Sequence, residues 1–172
     1  MQNARHATHD SVPPLIDEHC HTLVLGSMLS PKSVEASFYY AHPQNRFWRV
    51  LAAVFNENYS TDTAERSKLA LDHGIALWDV IYSCDIIGAA DSTITNVEFN
   101  DIVDLLACYP SIKRIYTTGG AAFKLLKKYA KTVDNSIVRN AQALPSTSPL
   151  NCATSLDALI SKYSVLANIP QD

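Results

Sequence analysis

A chain of 172 residues, 47% hydrophobic and 18% charged, has room for one domain with a sizeable core and too little for two. Its net charge of −3 does not mark a nucleic-acid binder, and no apolar run approaches the ~20 residues of a membrane span. Cys20, Cys84, Cys108 and Cys152 are scattered without a C-x-x-C pair, which argues against zinc or iron–sulfur sites and for reduced thiols.

Residues 1–18 read as a polar N-terminal arm ending near Pro13-Pro14, and residues 19–172 as a single domain. The arm has no apolar stretch and no small-residue cleavage site, so the expected location is cytoplasmic. His6, His9, His19 and His21 are irregularly spaced and read as surface histidines rather than metal ligands. TLVLG (22–26) is then a buried strand running into a loop. Phe47, Val50, Leu51 and Val54 follow at the spacing of one helix face, just after the crowded heptapeptide HPQNRFW (42–48). Asp62 with Glu65 resembles a capping box, and Gly74 suits the stop of that helix. IALWDV (75–80) is a second strand. Thr95 and Glu98 look like another capping box, which predicts a helix with Phe99, Ile102, Val103 and Leu106 buried and Pro110 as the stop.

RIYTTG (114–119) is a third strand, and its closing glycines open a helix with Phe123, Leu126 and Ala130 facing inward. Lys124, Lys127, Lys128 and Lys131 share the other side of that helix; they form either a locally positive DNA-facing patch or a solvated face. A fourth strand fits around 140–144 and leads into PSTSPLN, and Thr154 with Asp157 begins a last helix. Strands alternating with helices predict an α/β fold, three layers with a central four-stranded, mostly parallel sheet. In such a sheet the ligand lies beyond the carboxyl ends of the strands, which here are the loops after Gly26, after Val80, at 117–120 and at 145–151.

The block GSMLSPKSVEASFYYAHPQNRFWRVL (26–51) resembles the uracil-DNA glycosylase superfamily, and most closely the DNA-deoxyinosine (hypoxanthine-DNA) glycosylases. The matching positions are Gly26, Ser27, Met28, Ser33, Tyr39, Tyr40, Ala41, His42, Pro43, Asn45, Phe47 and Trp48. A second motif, Leu-Pro-Ser-Thr-Ser-Pro, is residues 144–149, followed by Asn151, and GIALWDV looks like the family's middle strand. The resemblance implies a DNA repair enzyme that hydrolyses the N-glycosidic bond of a flipped, deaminated base and leaves an abasic site.

It also implies roles. Tyr40 stacks on the base, and Gly26, Ser27 and Met28 approach it with their backbone. Ser146, Thr147, Ser148 and Asn151 grip DNA phosphates, and Leu150 wedges into the base stack. The superfamily's usual water-holding Asp or Asn and its second-motif His or Asn correspond here to Met28 and Leu144, which cannot do that work. The burden falls on Asn45 as the catalytic residue, with N-capping as its ordinary alternative; His42 is a further base contact. Arg46 and Arg49 either reach phosphates or solvate their helix. Relatives often carry an asparagine before the glycine of the third strand, where this chain has Thr118, a position tied to base recognition. No lysine for a Schiff base stands at a matching position of either motif, so the expected enzyme is monofunctional, without metal or cofactor, and a monomer.

Uracil and xanthine remain as alternative bases, and a lesion-binding module with weak hydrolysis as an alternative class. An unrelated nucleotide-binding domain is disfavoured, because neither G-x-x-x-x-G-K-[ST] nor G-x-G-x-x-G occurs.

Overall fold

The computed structural model of the protein describes residues 3–170. Near the N-terminus, where a polar arm was expected, Arg5–Thr8 forms strand β1. The segment that follows is anchored rather than free: Val12 is buried, and Leu15 makes a bridge to Leu77. Thr22–Gly26 is β2, fully buried as its unbroken apolar run demands. Pro31–Ala36 forms a short helix, α1, with Ser30 as N-cap and proline in the first turn. Phe47–Val54 is α2 and Thr63–Asp72 is α3, the latter capped by Asp62, whose side chain accepts from Glu65 N. Gly74, with φ +69°, turns the chain out of α3 against the ring of His21. Ile75–Asp79 is β3 and Ile81–Ile86 is β4.

Thr95–Phe99 is not the start of a helix but strand β5. Its Thr95–Glu98 pair resembles a cap, yet the chain pairs antiparallel with β4, and Ser83 Oγ donates to Glu98. The helix begins only after Asp101, whose side chain caps α4, Ile102–Cys108. Arg114–Thr118 is β6, Gly120–Tyr129 is α5, Ser136–Arg139 is α6 and Gln142–Leu144 is β7. Leu156–Tyr163 is α7, capped by Ser155 rather than by Thr154.

The central sheet has four parallel strands in the order β3-β2-β6-β7, as expected. Alternation along β2 sends Leu23 and Leu25 to one face, where they join Ile102, Ile115 and Leu126; Val24 points to the other, with Leu51, Leu77, Leu159 and Tyr163. Helices therefore cover both faces: α2 and α7 one, α4 and α5 the other. A second sheet, antiparallel β1-β4-β5, lies outside the expected plan. No helix among the described residues is long and apolar enough to cross a membrane.

Candidate active site

A cavity of about 250 Å³ opens at the carboxyl ends of the parallel strands. That is just under the ~300–1,000 Å³ of drug-sized ligand pockets and suits a single heterocycle. Of the site residues singled out from the sequence, all but Asn151 line it. Two segments about 100 residues apart in sequence thus meet in one place, and a physical tie explains why. Arg46, at the start of α2, donates its guanidinium hydrogens to the carbonyls of Ser148, Asn151 (2.7 Å) and Thr154, and its amide donates to Thr147 O. The arginine binds the two motifs together. Arg49 likewise lies over the Tyr59 ring, away from the cavity lining.

The floor is built at the end of β2 and β3. Gly26 pairs in register with Asp79, and a Cβ on Gly26 would lie 2.3 Å from Asp79 Oδ1. Glycine is needed there because the carboxylate occupies the side-chain space. Asp79 itself is buried, and His9 Nε2 lies 2.8 Å from its Oδ2. His9 is 5% exposed, so the expectation of a surface histidine is corrected: it is a buried partner of the site. Beside this floor, Ser27 Oγ donates to Asp91, exposed at the cavity mouth, at 2.7 Å. Among the described residues no three His, Cys, Asp or Glu side chains converge as a metal site.

One wall is Tyr40. Its ring stacks on Phe47 with centroids 4.0 Å apart, and its hydroxyl lies 3.1 Å from Thr118 Oγ1. The residue has φ +52°, a conformation that non-glycine residues hold only when their surroundings fix it. Burial, and then the charge of Asp79, pushes its phenol well above the usual range, so it is a neutral hydroxyl at physiological pH.

A hypoxanthine DNA glycosylase of Methanosarcina acetivorans is 34% identical over 111 residues, which are 64% of this chain and 70% of that protein. One from Methanosarcina barkeri is 33% identical over 108 residues, 62% of this chain and 68% of its own length. The chain belongs to the hypoxanthine DNA glycosylase family. A solution NMR structure of a uracil DNA glycosylase candidate from Methanosarcina acetivorans matches with a TM-score of 0.73 at 27% identity, covering 91% of this chain and 97% of that one. No family model matches the chain.

Against this family background the remaining polar groups sort by what already occupies them. Asn45 Oδ1 accepts from Phe47 N at 2.9 Å, so the side chain shapes the entry to α2 from one residue before the N-cap, Arg46. That bond fixes the amide's orientation and leaves Nδ2 with no partner among the described residues, on a side chain that lines the cavity. His42 Nδ1 accepts from Gln44 N at 3.1 Å, so a neutral His42 carries its proton on Nε2.

In the second motif, Ser146 Oγ accepts from Ser148 N and Ser148 Oγ from Leu150 N, closing two short turns whose hydroxyl hydrogens stay available. Thr147 is buried at 2% exposure and lines the cavity. Asn151 donates to Ser146 O at 2.8 Å and to Thr154 Oγ1 at 3.2 Å. Its amide hydrogens are engaged inside the loop, which the side chain supports. Leu150, 74% exposed, stands at the cavity rim.

Sequence reading missed Asp79, Asp91 and His9 as site residues. A charged residue ending an apolar run, as Asp79 does in IALWDV, was the one available signal. The pairing of Asp79 with a residue 70 positions earlier left no local trace.

Proposed function

We propose that this protein is a DNA repair glycosylase that hydrolyses the N-glycosidic bond of a flipped deaminated base, with hypoxanthine preferred. It is read as acting as a cytoplasmic monomer without a metal. The observation that carries the proposal is one base-sized cavity shared by the stacking ring of Tyr40, the free amide of Asn45 and the Ser146–Leu150 loop, with an exposed leucine at its lip. A base in a duplex is reached only by rotating it out of the stack. Leu150 would fill the space left behind, and Ser146 and Ser148 would hold the neighbouring phosphates.

In the reaction, water oxygen bonds to C1′ as the C1′–N9 bond breaks. The bonding pair leaves with the base, and the water proton ends on the free purine. Charge develops on the departing ring, where a preorganised donor is worth most. Asn45 Nδ2 supplies that donor, since its acceptor oxygen is already engaged by Phe47 N. Stacking on Tyr40 orients the ring, and Phe47 backs the tyrosine from behind. The cavity lining contains no lysine, which favours water as the nucleophile and an abasic-site product without strand cleavage.

The test is to incubate the protein with duplexes carrying deoxyinosine, deoxyuridine or deoxyxanthosine and identify each released base by mass. Free hypoxanthine should appear fastest. Release of uracil or xanthine alone would reassign the substrate, and binding without release of any base would reassign the protein to a lesion-binding module.

A further inference from the structure

We infer that Asp91 is the general base of the reaction: held by Ser27 at the cavity mouth, its free carboxylate oxygen takes the proton of the attacking water. The inference rests on the glycosylase reading and names a catalytic group which that reading leaves open.

Met28, two residues past the end of β2, packs its side chain on the cluster of Ala7, Ile81, Cys84 and Ile86. Those four residues belong to β1 and β4, so the antiparallel sheet is fastened to the end of β2. The connection from β4 to β5 then returns to the cavity, where Ala89 and Asp91 join the lining. It is a built turn. Thr93 Oγ1 accepts from Ile87 N at 2.9 Å and donates to Ala90 O at 2.7 Å, and Ile94 N donates to Asp91 O. Ser27 Oγ donates to Asp91 Oδ1 at 2.7 Å, across 64 positions of sequence. Asp91 Oδ2 has no hydrogen-bond partner among the described residues. The second sheet thus delivers one open carboxylate oxygen to the end of β2.

The other titratable groups of the lining are engaged or misplaced for this task. Burial keeps the Tyr39 and Tyr40 phenols neutral. A neutral His42 spends its lone pair on Gln44 N. Asp79 lies at the floor, 4% exposed, with Oδ2 on His9. A flipped base sets its ring over that floor and leaves its sugar at the mouth, because the sugar stays on the DNA backbone. C1′ and its attacking water therefore sit beside the mouth, where Asp91 is the exposed carboxylate.

As the water oxygen bonds to C1′, one of its protons passes to Asp91 Oδ2, and the C1′–N9 pair leaves with the purine. Asp91 then gives the proton to solvent, from which the departing purine takes one. The same carboxylate faces the positive charge that builds on the sugar while the bond breaks. Ser27 is a positioning residue: it occupies Oδ1 and leaves Oδ2 for the water.

The experiment measures affinity for two duplexes that hold no base to release. One carries a pyrrolidine abasic-site analogue whose protonated nitrogen replaces C1′; the other carries the neutral tetrahydrofuran analogue. The wild type should prefer the pyrrolidine duplex by on the order of tenfold or more, the scale of a hydrogen bond to a charged group. Asp91→Asn can still accept from Ser27, so its melting temperature and tetrahydrofuran affinity should stay while the preference vanishes. Its single-turnover release of hypoxanthine should fall on the order of 100-fold or more. A preference absent in the wild type, or preserved in Asp91→Asn, overturns the inference. So does unchanged release by the variant, and so does equal loss on both duplexes, which would make Asp91 a structural support of the mouth. The binding arm needs no hydrolysis. A wild type that releases no base would sink the glycosylase reading, whereas release that survives Asp91→Asn sinks this inference alone.

Discussion

Tyr40 lies face to face with Phe47, rings 17° from parallel, and Phe47 is itself fully buried. The stack backs one face of the tyrosine with core, on a residue that lines the cavity. Replacing Tyr40 by alanine should therefore weaken binding to lesion-containing duplex by roughly 1–3 kcal/mol more than binding to undamaged duplex. Tyr40→Phe should keep most of that difference. Competition binding with the two duplexes checks it, and equal losses on both would place the ring outside the base contact.

Gly26→Ala should be the small change with the largest local effect. The added carbon would sit 2.3 Å from Asp79 Oδ1, so the carboxylate or the strand must move. Overpacking of this kind costs about 1–3 kcal/mol of stability. We expect a lower melting temperature together with a larger loss of base release than of binding to an abasic-site duplex. Unchanged release would mean that the Asp79 position is not critical.

The basic helix is expected to be a bystander. Lys127 and Lys128 lie in the last turn of α5, while the helix begins beside the cavity end of β6, so they sit at the end of the helix away from the cavity. Lys127 already donates to Arg139 O. Changing both to glutamine should leave the slope of log affinity against log salt unaltered, because each lost phosphate contact would lower it by nearly one. A reduced slope would put α5 on the DNA track.

Cysteine reactivity should divide evenly. Cys20 and Cys84 are buried and Cys108 and Cys152 exposed. Loss of hydration, the largest influence on each buried thiol, pushes Cys20 to about 12 and raises Cys84 as well. The thiolate is the reactive form, so raising the pKa removes it at pH 8. A maleimide at that pH should label two sites in the native protein and four after denaturation, counted by intact mass.

The parallel sheet was legible because its central strands β2 and β3 are short apolar runs, and the helices between the strands announce themselves by period. The antiparallel sheet was not. Ile81–Ile86 follows Asp79 with only Val80 between, and the expected strand stopped at Val80, with nothing assigned to the strand after it. Thr95 and Glu98 carried a capping spacing that β pairing overrode. Arg5–Thr8 looked polar because an edge strand needs only one buried face; Ala7 provides it at 5% exposure. The cavity's lining was largely readable through its motifs. Its floor was not, because His9, just after β1, and Asp79 are 70 positions apart and meet only in the folded chain.

The most direct measurement is abasic-site formation in a deoxyinosine duplex, read as strand breaks after alkali, for the wild type and two variants at Asn45. Aspartate there can still accept from Phe47 N, so Asn45→Asp should melt close to the wild type. It lacks the amide donor, and its hypoxanthine release should fall on the order of 100-fold or more. Asn45→Ala should be nearly inactive. The account predicts robust wild-type release with both variants folded and crippled; full activity in a folded Asn45→Ala protein would contradict it.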